Sequence, residues 1–136
     1  MTTSSPVHRL AVRVYYEDTD FSGRVYHASY IRFMERGRTE WLRAAGYEHR
    51  VLAEEQGVVF AVRRLEVDYL APAAIDDMLE IETRVDAVRG AAIEFAQSVS
   101  RGGQALATAK VLVASLRNGR PMRIPQELRA RLEAER

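Results

Sequence analysis

The sequence contains no cysteine. That absence excludes disulfides, a thiol nucleophile and zinc or iron–sulfur sites built on thiolates. It fits the reducing cytoplasm, which is the location expected. No uninterrupted apolar run approaches the roughly 20 residues of a membrane helix, so no membrane insertion is expected. The opening stretch Met1–Pro6 lacks a basic region followed by an apolar run, so no secretory signal is expected either. Glycine (8) and proline (4) are too few for a collagenous or low-complexity chain. A net charge of only +1 argues against a nucleic-acid partner. Histidine is scarce: His8 and His49 have no acidic or histidine partners at ligand spacing, read as surface residues, and imply no metal site.

What is present fits one globular domain spanning residues 1–136, with 47% hydrophobic and 29% charged residues. The charge is uneven. Residues 117–136 hold six Arg and three Glu, a basic end that is either solvated or meets phosphates.

Residues 1–8 read as a loose leader. Leu10, Val12 and Val14 alternate with Ala11, Arg13 and Tyr15, the period of a strand. A helix is expected over about residues 27–45. Tyr30, Met34, Gly37, Trp41 and Ala44 form its apolar or small face, and Gly46 its stop. Arg36 with Glu40 and Glu35 with Arg38 are at ion-pair spacing. Gly37 costs a helix about 1 kcal/mol relative to Ala, which implies close approach of another backbone. Residues 48–56 read as a short second helix. Strands follow over 58–70, 79–88, 93–99 and 105–116. Arg89-Gly90, Gly102-Gly103 and Asn118-Gly119 supply the turns. A short amphipathic helix over 125–134 opens at Pro125. The order predicts an α+β fold: strand, long helix, four antiparallel strands, small helix. One helix covers only one sheet face, so a homodimer is expected.

The most informative segment is Glu17-Asp18-Thr19-Asp20-Phe21-Ser22-Gly23, just before the helix. Asp18, Asp20, Ser22 and Gly23 match the first positions of a calcium loop, but position twelve is Ser29 and the preceding flank is a strand. A second reading has Asp and Ser merely capping backbone amides. A third is catalytic. A carboxylate beside a helix N-terminus pairs an attacking group with free amides that can polarise a carbonyl. That suits acyl transfer without Ser, Cys or metal.

The run Tyr15-Tyr16-Glu17-Asp18-Thr19-Asp20, then Gly23, Val25-Tyr26-His27 and Tyr30, resembles the hotdog-fold acyl-CoA thioesterases of the 4-hydroxybenzoyl-CoA thioesterase type. It is most similar to their YbgC, or Tol–Pal-associated, branch. The likeness continues through Glu35-Arg36, Arg38–Arg43, Val67–Ala73 and Asp76–Ile81, covering residues 10–125. It departs at Gly37, where the pattern has Ala.

The resemblance implies a long central helix wrapped by a five-stranded antiparallel sheet, with sites at the interface of a homodimer and tetramers as dimers of dimers. It implies hydrolysis of a small or medium acyl-CoA, or an acyl-carrier-protein thioester, with no cofactor. By position, the catalytic carboxylate falls on Asp20 and the oxyanion-holding amide on His27, with Gly23 allowing the turn between them. Asp18 is then structural. A helix carboxylate, Glu35 or Glu40, is the competing choice. Tyr26 and Tyr30 are candidates to line the acyl pocket, and Trp41 reads as core. Arg63, Arg64, Arg89, Arg117, Arg120 and Arg123 are candidates for the phosphates of CoA. The alternative function is a non-catalytic acyl-thioester binder or adaptor of lipid or envelope metabolism.

Overall fold

The computed structural model describes residues 7–134, so most of the expected leader lies outside the described residues. Strand β1 (His8–Arg13) begins earlier than the alternation of Leu10 implied, because His8 already pairs with Thr83. Its ring is half-buried rather than on the surface, and Nδ1 is shielded without a hydrogen-bond partner.

After β1 come a 3-10 turn (Tyr16–Asp18) and the long helix α1 (His27–Ala44). A single helical turn, α2 (His49–Val51), continues as a π turn over Leu52–Gln56. Four long strands then follow: β2 (Val59–Tyr69), β3 (Met78–Arg89), β4 (Ala92–Arg101) and β5 (Gln104–Arg117). The sheet order is β1-β3-β4-β5-β2, antiparallel throughout. To the five expected strands the structure adds a two-residue strand, β6 (Arg120–Pro121), folded back on β5 by the Asn118-Gly119 turn. Helix α3 (Gln126–Ala134) follows Pro125 and buries Leu128 and Leu132.

Helix α1 packs on the inner faces of β1, β3 and β4. Leu79, Ile81, Thr83 and Val85 of β3 and Ile93, Phe95, Gln97 and Val99 of β4 point inward, as the period of two requires. The alternate positions carry Glu82, Arg84, Ser98, Thr108 and Lys110 outward.

The buried stripe of α1 is Ser29, Tyr30, Phe33, Met34, Gly37, Trp41 and Leu42. Ala44, expected on that face, is exposed, because the stripe drifts toward Leu42 and Ala45 in the last turn. Trp41 is core and meets Phe95 edge-on at 5.9 Å. The expected Arg36–Glu40 pair does not form: Glu40 accepts from Arg43 at 3.1 Å, and Arg36 lies over the Phe33 ring. Arg38 likewise turns from Glu35 to the sheet, donating to Gln97 Oε1 at 3.0 Å.

Gln97 is the polar centre of the core. Its Nε2 donates to the Met34 carbonyl (2.8 Å) and to Thr83 Oγ1 (2.9 Å). These groups fit beneath the helix only because residue 37 is glycine. A Cβ there would lie 2.8 Å from Thr83 Oγ1, 2.9 Å from Ile81 Cγ2 and 3.1 Å from Gln97 Nε2. The close approach expected at Gly37 is therefore to side chains of β3 and β4, not to another backbone. Gly37→Ala gains about 1 kcal/mol of helix propensity but overpacks the contact at a cost of about 1–3 kcal/mol. Denaturant unfolding of Gly37→Ala should therefore show a net loss of stability. A variant more stable than the parent would mean that the helix is free to shift.

Candidate active site

Between β1 and α1 the chain folds into a small hairpin. Thr19 bridges Val25, the Asp20 amide donates to the Arg24 carbonyl (2.9 Å), and the Tyr26 amide donates to the Asp18 carbonyl (2.9 Å). Gly23 makes the reversal at φ +79°, a conformation in which any other residue would be strained. Asp18 is buried, and its Oδ2 accepts from the Tyr15 amide at 2.9 Å, so it secures the base of the hairpin. The same ladder carries Asp20 toward the tip and ends where α1 starts.

A second loop backs this hairpin. The Val25 amide donates to the Ala73 carbonyl (2.9 Å), and the Ile75 amide to the Gly23 carbonyl (3.2 Å). Tyr30 Oη accepts from the Ala73 amide at 2.9 Å. Asp77 locks the loop by accepting from the Ala74 amide (2.9 Å) and from Arg101 (2.6 Å). The Ala74 amide, ahead of Arg101, holds the Asp77 carboxyl below its ordinary range.

Asp20 is fully exposed. Its Oδ1 accepts from the Ser22 amide (2.8 Å) and the Ser22 hydroxyl (2.5 Å). Oδ2 has no partner among the described residues and faces solvent. The Ser22 hydroxyl and amide, helped by the nearby Arg24 charge, hold this carboxyl below the ordinary Asp range. It is therefore ionised at neutral pH.

His27 is the first residue of α1, and its N-cap, Tyr26, supplies no side-chain cap. The His27 amide has no acceptor among the described residues, which leaves it open at the positive end of the helix dipole. His27 and Asp20 do not bond to each other. One offers a donor, the other a free carboxylate oxygen. A carbonyl placed between them would be polarised at oxygen and open to attack at carbon.

The structure gathers Asp20, Gly23, Tyr26 and His27 at this loop–helix junction. Tyr26 is exposed beside it. Tyr30 lies beneath the junction instead of lining it: it is 3% exposed and its hydroxyl is committed to Ala73. Arg63 and Arg64 are exposed on β2, at a bulge between Val62 and Arg64. They are not drawn to the acidic turn. Arg64 is five residues from the Tyr69 end of the strand, about 17 Å at roughly 3.4 Å per residue. Arg89 pairs with Glu94 at 3.6 Å and Arg117 donates to the Gln56 carbonyl at 3.1 Å. Glu35 lies two helical turns from His27, at the mouth of a cleft of about 320 Å³ lined by Arg38, His49, Phe60 and Phe95. Burial in that cleft, then the Arg43 charge, pushes the His49 pKa down.

Two residues at the junction escaped the sequence reading. Ser22 was legible as a turn, capping or calcium-loop residue, not as the partner of Asp20. Tyr69, at the end of β2, donates its hydroxyl to the His27 carbonyl at 3.1 Å. No local spacing signals a contact across 42 positions.

The thioesterase-like superfamily pattern matches residues 14–132. The chain is 46% identical over 121 residues to the acyl-CoA thioesterase YbgC of Haemophilus influenzae, covering 88% of this chain and 89% of that one. It is 47% identical over 111 residues to the acyl-CoA thioester hydrolase YbgC of Escherichia coli, covering 81% and 82%. The crystal structure of a probable thioesterase from Bartonella henselae superposes with a TM-score of 0.86 at 43% identity, covering 88% of this chain and all of that one.

Ser22→Ala removes the hydroxyl that does most to lower the Asp20 pKa and leaves the Ser22 amide in place. Carboxyl carbon shifts followed by NMR should show Asp20 titrating at higher pH in the variant, nearer the ordinary value of 3.8. An unmoved titration would mean that the hydroxyl does not hold the carboxylate.

Proposed function

The chain belongs to the thioesterase-like superfamily, with a hotdog fold, and from that membership we propose that it hydrolyses acyl-CoA thioesters at the Asp20–His27 junction. The observation that carries the reading is an ionised carboxylate with one free oxygen, held on the same short hairpin as an uncapped helix start. The two YbgC relatives, named for acyl-CoA thioester hydrolysis, support the substrate class.

The thioester carbonyl oxygen accepts from the His27 amide. Asp20 acts at the carbonyl carbon, either by taking a proton from an attacking water or by attacking as nucleophile through Oδ2. Both routes start from the ionised carboxylate that Ser22 stabilises. Negative charge then collects on the carbonyl oxygen, and the His27 amide stabilises it by about 2.7–4 kcal/mol on the scale of single oxyanion donors. Collapse breaks the C–S bond. The CoA sulfur leaves and takes up a proton, and the acid is released, directly or after water cleaves the mixed anhydride. The chemistry asks nothing of a metal or redox group. A thioester carried on acyl-carrier protein presents the same reacting atoms and is the second substrate form to test. A cytoplasmic location suits a cysteine-free enzyme whose substrate is acyl-CoA.

The active unit is a homodimer, with a dimer of dimers as its larger form. Support comes from β2, an 11-residue edge strand whose outer side lacks a partner among the described residues. It exposes Val59 and Val62 among the charged Arg63, Arg64, Glu66 and Asp68, and its unpaired backbone can take a further strand. Pairing β2 with β2 of a second copy would continue the sheet and bring Arg63 and Arg64 to the interface, where CoA phosphates can reach them.

Free-thiol release from a panel of acyl-CoAs tests the chemistry, and the cysteine-free chain adds no background. Asp20→Asn should lower kcat by about 10²–10⁴-fold with the fold intact. Near-full activity in that variant would reject Asp20. Tight binding of a CoA ester with no turnover of any thioester would favour the non-catalytic binder. Light scattering at working concentration should give a dimer or tetramer, and a monomer with full turnover would refute the shared interface.

A further inference from the structure

Tyr69 is the last residue of β2, paired with Ala107 of β5, and it joins the edge strand to the start of α1. Its hydroxyl donates to the His27 carbonyl at 3.1 Å. Its ring packs 4.8 Å from the His27 imidazole and edge-on to Tyr30 at 5.4 Å. Tyr30 in turn holds the Ala73 amide of the loop behind the hairpin. A chain of three aromatic residues thus runs from that loop to the first residue of the helix.

The helix has a particular need at this end. A Ser, Thr, Asp or Asn at the N-cap would fix the first turn by accepting from its amides. Such a cap bonds the second or third amide, here Ala28 or Ser29, and would not restrain His27 itself. Tyr26 supplies no side-chain cap; its carbonyl accepts from the Ser29 amide at 2.9 Å, and the His27 and Ala28 amides have no acceptor among the described residues. Tyr69 restrains the first turn from the opposite side, through a carbonyl, and consumes no N–H group. Burial, with Tyr30 alongside, raises the Tyr69 pKa, so the phenol stays a donor through the neutral range.

We propose that Tyr69 is the positioning residue of the oxyanion site: its hydroxyl on the His27 carbonyl and its ring against the imidazole hold the first turn of α1 while leaving the amides free. This rests on the hydrolase reading for its kinetic consequence but not for its geometry. Tyr69 touches His27 and none of the reacting atoms, so its effect is on how well the donor is aimed.

Tyr69→Phe keeps the ring and removes only the hydroxyl. With acyl-CoA as substrate, kcat should fall about tenfold, the scale of one net hydrogen bond. KM and the thermal midpoint should stay close to the parent. Tyr69→Leu, which also removes the ring beside the imidazole, should cost more in kcat. In the same Phe variant, hydrogen exchange of the Tyr30 and Ile31 amides, the first that α1 bonds internally, should speed up, while amides in the middle of α1 keep their protection. Unchanged kcat in Tyr69→Phe, or a loss matched by a general fall in thermal midpoint and protection along α1, would overturn the proposal. If the wild type cleaves no thioester, the hydrolase reading fails by itself. The amide exchange of Tyr69→Phe then decides the positioning role, and unaltered exchange at Tyr30 and Ile31 refutes it.

Discussion

The seat of α1 on the sheet is the constraint from which the rest of the molecule follows. Gln97 carries a primary amide into an apolar core, where each unpaired polar atom costs about 1–3 kcal/mol. Its amide is satisfied only when the Met34 carbonyl, Thr83 and Arg38 stand around it. Those partners come from α1 and β3, while Gln97 itself stands on β4, so the hydrogen bonds set both the height of the helix and its rotation. Gly37 makes the arrangement possible, since a side chain there would occupy the space of Thr83 and Gln97. Apolar packing alone tolerates small rotations of a helix. A buried amide that ties its own strand to α1 and β3 does not.

With the helix so fixed, its N-terminus falls where the hairpin of residues 18–26 can present Asp20 beside it. The two parts are held by different means. Asp20 is set by Ser22 within the turn, and the turn is pinned to the loop at Ala73–Asp77 by backbone bonds. That loop is anchored by Arg101 on β4 through Asp77, and by Tyr30 on α1 through the Ala73 amide. The same sheet and helix that Gln97 joins therefore also hold the backing of the carboxylate. Donor and carboxylate share one frame, although no bond links them.

Much of this was legible in the residues. The alternation in β3 and β4, the glycine turns and the 3.6-residue stripe of α1 are local patterns, and local patterns specify local structure. The acidic turn before a helix was legible as chemistry because Asp20, Gly23 and His27 lie within eight positions of one another. What stayed hidden depends on distant register. Arg36 and Glu40 have the spacing of an ion pair, yet Arg43 takes Glu40 and Phe33 takes Arg36, a competition that spacing alone does not rank. Tyr30 could have lined a pocket as easily as a core until β2 and its following loop brought Tyr69 and Ala73 against it. Tyr69 itself reads as one more strand aromatic, and its meeting with His27 exists only because β2 pairs with β5 in one register.

The departures from ordinary folding rules collect in one region. Helix α1 starts without a side-chain cap, and Phe21, Tyr15, Tyr16 and Tyr26 expose apolar rings around the acidic turn. Asp76 adopts a positive φ in the loop behind it, and β2 is an edge strand without a partner on its outer side among the described residues. Each feature alone is a small cost that a structural segment would be expected to shed. Together they surround an ionised carboxylate and an open amide, which is where departures from local consistency are expected to gather when a site needs them. On the proposed reading, the open His27 amide is the donor kept for substrate. Exposed rings give an acyl group or a second copy something to cover. An open strand edge lets the sheet grow across the junction. On that reading these costs have a common physical origin: the surface at Asp20 and His27 is left open for substrate on one side and a second copy on the other.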